Sequence, residues 1–71
     1  MERFLRYSLE RDKPIRVIWL DPEDGRMRQS QAVVEKMEGD EVTLYVIRPP
    51  RRLTLPAADI LGASYCAKDE G

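Results

Sequence analysis

Apolar and polar side chains alternate in short bursts along most of this chain. In Pro14-Ile-Arg-Val-Ile-Trp-Leu20, extended backbone puts Ile15, Val17 and Trp19 on one face and Arg16, Ile18 and Leu20 on the other. Five such runs follow one another, at 14–20, 26–34, 42–48, 52–55 and 60–65. The second is the least hydrophobic and ends in Ala32-Val33-Val34. The third presents either Val42, Leu44 and Val46 or Thr43, Tyr45 and Ile47 to an interior. Turn chemistry separates the runs: Asp21-Pro-Glu-Asp-Gly25, then Glu38-Gly-Asp-Glu41, then Pro49-Pro50. Pro56-Ala-Ala-Asp59 predicts one 3₁₀ or helical turn before the last run. Five antiparallel strands at this spacing predict a small closed β-barrel, because an open sheet leaves edges that pair with other chains.

Ahead of the strands, residues 2–11 predict a short helix that docks through Phe4, Leu5 and Leu9, with Glu2 and Arg6 as an i,i+4 ion pair. Asp12-Lys13-Pro14 ends it, since the residue before proline is pushed out of helical geometry. A helix this short does not persist alone, so it must dock its apolar stripe on something, and it is expected to cap one open end of the barrel. The predicted core is Ile15, Val17, one of Trp19 and Leu20, Val33, Leu44, Val46, Leu53, Leu55 and Ile60. Residues 1–71 read as a single domain, with a barrel over 14–65 and a loose polar tail over 66–71.

A chain of 71 residues buries only about 60% of the surface it exposes when unfolded, and such domains often add disulfides or a metal. Cys66 is the single cysteine, so no intramolecular disulfide forms, and there is no histidine to serve as zinc ligand or general base. Neither a metal nor a cofactor is expected. No apolar run approaches the roughly 20 residues of a membrane span, and the N-terminus lacks the apolar core of a signal peptide. The expected compartment is the cytoplasm.

The order of helix, five bent strands and one-turn connection resembles the Sm-like and SH3-like small barrels. Val17-Ile-Trp-Leu-Asp-Pro-Glu-Asp-Gly-Arg26 and Arg52-Leu-Thr-Leu-Pro-Ala-Ala-Asp-Ile-Leu61 look like the two ends of the WYL domain of bacterial regulators, although Val42-Thr-Leu-Tyr45 stands where that family has Trp-Tyr-Leu. Phe4-Leu-Arg-Tyr-Ser-Leu9 and Lys13-Pro-Ile-Arg-Val-Ile-Trp-Leu20 are similar to the opening of the bacterial Sm-like RNA chaperone, whose late Lys-His pair has no counterpart here. Leu55-Pro-Ala-Ala-Asp-Ile60 is similar to the closing turn of YolD-like proteins. These resemblances imply the fold and leave the activity open.

Without histidine there is no Ser-His or Cys-His nucleophile, and no lysine lies in an apolar run, so an enzyme is not expected. Asp21, Glu23 and Asp24 lack the further ligands of a calcium loop and read as an acidic turn. The net charge is −1, yet nine of the twelve basic residues are arginine. Arg26, Arg28, Arg48, Arg51 and Arg52 cluster mid-chain, and pairing of the second and third strands brings them towards one patch. Guanidinium forks match phosphates and carboxylates; against this, the same arginines can pair with Glu35, Glu38 and Glu41. Trp19 and Tyr45 are candidate stacking groups, or core. The expectation is a non-enzymatic module that recognises an anionic partner, nucleic acid or an acidic protein surface, through the five arginines. The alternatives are a self-assembling homo-oligomer and a WYL-like small-molecule sensor.

Overall fold

A computed structural model describes residues 1–66. Helix α1 (Glu2–Arg11) is followed by strands β1 (Ile15–Leu20), β2 (Met27–Glu38), β3 (Glu41–Val46) and β4 (Arg51–Pro56), a 3₁₀ turn (Ala57–Asp59), and β5 (Ile60–Tyr65). All five strands form one antiparallel sheet in the order β4-β3-β2-β1-β5. The mainly-β class, the helix and the strand count agree with the sequence reading. Closure does not: no ladder joins β4 to β5, which are the two edges of the sheet among the described residues. Pro56 ends β4 without an N–H to donate, and the 3₁₀ turn leads the chain straight to the opposite edge.

The tight β2–β3 hairpin has a two-residue loop, with Glu38 opposite Glu41 and Gly39 at φ 59° in the first loop position, where glycine avoids the steric cost of a left-handed backbone. The core face is built by cross-strand rows. Ile15, Ala32 and Val46 form one row, Val34, Leu44 and Leu53 a second, and Val42 and Leu55 close the far end. Trp19 rather than Leu20 is the buried member of its pair. The core position on β2 corrects the prediction: Ala32 and Val34 are buried and Val33 is half-buried. Pairing of Ile15 with Ala32 fixes the pleat, and a one-residue slip would reverse both faces. A bulge between Val34 and Lys36 then resets the alternation, so Met37 packs on the core instead of turning out.

Helix α1 covers the part of β2 that extends beyond β1, with Leu5 buried and Phe4, Tyr7 and Leu9 packed around it. A buried serine makes that junction. Ser8 Oγ donates to the Lys13 carbonyl at 2.6 Å and accepts from the Val34 N–H at 2.8 Å, so it ties the helix, its exit and the sheet together. The helix stops one residue after Arg11, where Asp12 takes φ 56° and its N–H returns to the Ser8 carbonyl. Cys66 is buried, so the predicted loose tail does not begin there; residues 67–71 lie outside the described residues.

Two substitutions test this packing. Ser8→Ala leaves the Val34 N–H and the Lys13 carbonyl without their partner and should cost about 1–3 kcal/mol in urea denaturation. Leu44→Ala, at a position with 0% exposure, should cost about 2–5 kcal/mol. A loss below half a kcal/mol at either position would contradict the packing described.

Candidate functional site

The β1–β2 turn puts a carboxylate inside the protein. Asp21 follows β1 directly and is 1% exposed. Its Oδ1 accepts the Glu23 backbone N–H at 2.9 Å, an Asx turn that aims the other oxygen inward. Oδ2 receives Arg51 Nη1 at 2.9 Å and lies 3.4 Å from Arg28 Nε. Arg51 opens β4, which β3 and β2 separate from β1. In a flat sheet three spacings of about 4.8 Å would separate these strands by about 14 Å. Side chains standing nearly perpendicular to a flat sheet do not cross such a gap, so the contact exists because the sheet curls over its inner face.

The surrounding charges complete a small network. Arg28 Nη2 donates to Asp24 Oδ2 at 2.7 Å, and Arg51 Nη2 stands 3.6 Å from Glu23. The Glu23 N–H holds the Asp21 carboxyl below its ordinary 3.8; burial pushes the other way, and Arg51 adds to the lowering. The Trp19 indole N–H adds the smallest share to it, without reaching hydrogen-bond geometry to any acceptor among the described residues. Asp24 is lowered chiefly by the Arg26 backbone N–H and then by Arg28.

Beside this network opens a cleft of about 280 Å³. Arg28, Arg48 and Arg51 line it, with Trp19, Val46 and Ser30 also contributing. Among the described residues no carboxylate lines it; Asp21, Glu23 and Asp24 instead pair with Arg28 and Arg51. Arg48 is exposed and has no ion-pair partner among the described residues. Its carbonyl accepts a long hydrogen bond from Ser30 Oγ, at 3.4 Å, which links the β3–β4 loop to β2.

The structure thus divides the five arginines. Arg28, Arg48 and Arg51 come together. Arg26 lies in the turn before β2 and outside the lining of the cleft. Arg52 points to the opposite face from its neighbour Arg51, as alternation in a strand requires. It forms a bidentate pair with Glu35, at 2.6 and 3.2 Å, and its guanidinium sits 5.5 Å from the Tyr45 ring centre. That pair lowers the Glu35 pKa, chiefly through the hydrogen bond from Arg52. Trp19 is 2% exposed, so its ring belongs to the core, whereas Tyr45 is half-buried beneath Arg52. Of the expected acidic partners only Glu35 is used by one of these five arginines; the others are Asp21, Glu23 and Asp24. Among the described residues no group of three His, Cys, Asp or Glu side chains could hold a metal ion. No helix among them is long and apolar enough to cross a membrane.

Sequence reasoning read Asp21 only as part of an acidic turn. The available signal was its place: an Asx-Pro-x-x-Gly turn directly after a strand whose inward residue, Trp19, stands two positions before it. Compared with family models, with curated proteins and with solved structures, the chain matches none.

Three carboxylates have lowered pKa values, so the stability they contribute is complete above the unfolded values of 3.8 for aspartate and 4.5 for glutamate. It is lost as the pH falls through the lower folded values. Asp21→Asn should therefore be less stable than the parent at pH 7, and the gap should narrow below pH 3.8. Parallel denaturation profiles across that range would contradict the role assigned to Asp21.

Proposed function

We propose that this chain is a non-enzymatic binding module that recognises an anionic partner through the cleft formed by Arg28, Arg48 and Arg51. One observation carries the reading: three arginines line one concavity, and no carboxylate among the described residues lines it. Asp21 and Asp24 occupy one side of Arg28, and Asp21 and Glu23 one side of Arg51, which fixes the arginines and leaves their other N–H groups for a ligand. Arg48 supplies a charge that no carboxylate among the described residues answers. The module acts as a small accessory or regulatory protein, with the cytoplasm as its compartment.

A second reading, a self-assembling module, draws on the two sheet edges. Neither β4 nor β5 has a second strand partner among the described residues, and Met27 and Leu61 are exposed large apolar side chains. An unpaired edge accepts an added strand.

The two readings separate by experiment. Labelled single-stranded and duplex oligonucleotides and an acidic peptide are titrated across a salt series, with sedimentation of the protein alone in parallel. Three phosphate contacts predict a log–log salt slope of about 2 to 2.7, against about 3.5 to 4.5 if all five arginines took part. Arg48→Gln should weaken binding about tenfold, the worth of one charge-assisted contact, and Arg52→Gln should leave it unchanged. Absence of binding to all three probes, with a concentration-dependent mass, would replace this reading with the assembly module.

A further inference from the structure

We infer that the arginine cleft is a site for one terminal phosphate monoester, carried by a free nucleotide or by the end of a nucleic-acid strand, and not a track for a strand's backbone. The inference rests on the anionic-partner reading and narrows it to a ligand class. The first argument is valence. Arg28 and Arg51 converge on a single carboxylate oxygen, Asp21 Oδ2, so their guanidinium groups sit side by side, and Arg48 lines the same concavity. The N–H groups that Arg28 and Arg51 keep outside these carboxylate contacts, together with those of Arg48, exceed what a carboxylate with two oxygens satisfies, whereas a monoester offers three terminal oxygens.

The second argument is extent. A polynucleotide backbone carries a charge every few ångströms and needs cations in a line. Here the line is interrupted on both sides. Arg52 faces away and is held by Glu35, and Arg26 does not reach the cleft. Arg51 is also 3.6 Å from Glu23, 79% exposed, and Arg28 pairs with Asp24, 37% exposed, so each has an accessible carboxylate beside it. Both carboxylates repel the next phosphate of a continuing strand. A cleft of about 280 Å³ falls just below the range of sites that enclose a whole drug-sized molecule, so it takes the phosphate and the group next to it. Pro49 and Met27 provide apolar surface at its rim for that group.

The single tryptophan of the chain lines the cleft and reports on it directly. Tryptophan fluorescence of the full chain is followed during titration with inorganic phosphate, a nucleoside 5′-monophosphate, the matching nucleoside, and one short oligonucleotide with either a 5′-phosphate or a 5′-hydroxyl end. The 5′-phosphorylated strand should bind at least about tenfold more tightly than its hydroxyl twin, as loss of one charge-assisted contact set implies. The monophosphate should bind where the nucleoside does not. Comparison of the monophosphate with the phosphorylated strand tells which carrier is preferred. Arg48→Gln should reduce affinity for every phosphate-bearing probe about tenfold, with Arg52→Gln as the unaffected control. Equal binding of the two strands, both dependent on Arg48, would overturn the terminal-phosphate inference and leave the anionic-partner reading intact. Absence of binding by any probe, with the acidic peptide still bound through Arg48, would also overturn it. Failure of every probe, the peptide included, would overturn both.

Discussion

A carboxylate taken out of water has to be met by fixed donors, and Asp21 is the point where this requirement shapes the rest of the molecule. Its oxygens are satisfied by a backbone N–H of its own turn and by arginines from β2 and β4. A single side chain therefore joins the end of β1 to the start of β4, two elements that no backbone ladder connects. The sheet must stay curled for the contact to exist. The curl in turn folds Trp19, Val46 and the arginines around one concavity. Ser8 performs the matching task at the other end, where β2 outruns β1 and α1 takes over as its cover. Both are buried polar groups with their partners in place, and such groups specify one arrangement because any other would leave them unpaired.

The same network explains why a chain of near-zero net charge can still present a cationic site. The acidic turn does not simply cancel the arginines. It engages part of each guanidinium of Arg28 and Arg51, and both side chains still line the cleft. Where no such division exists the charge is neutralised on the surface, as with Arg52 and Glu35 on the outer face. A pair so exposed contributes little to stability, and its acceptor sites are already used.

Much of the architecture was legible in the sequence. The helix ran to its predicted limits because Lys13-Pro14 stops it, and the hairpins fell at Gly25 and Gly39 because both take positive φ. What escaped were features set by pairing between strands. Ala32-Val33-Val34 reads equally well in either parity, and only Ile15 opposite Ala32 decides it. The bulge after Val34 has no local marker. The arginines at 51 and 52 looked like one patch in a linear reading, but adjacent residues of a strand face opposite ways. Ser8 stood in the apolar stripe of α1, three residues after Leu5, and a polar residue at such a position is itself a sign of a buried hydrogen bond. Closure of the barrel was inferred from the hazard of open edges, which the curl leaves in place at β4 and β5.

The central claim is that the buried Asp21 carboxylate is ionised and holds Arg51, Arg28 and the adjoining cleft in their arrangement. Carbon NMR of the labelled aspartate side chains through an acid titration observes that group without altering the chain. Asp21 should titrate below the ordinary 3.8, and the Arg51 and Arg28 Nε–H and Trp19 indole signals should shift with the same midpoint. An Asp21 carboxyl that titrates at or above 3.8, with those arginine and tryptophan signals unmoved, would contradict the account.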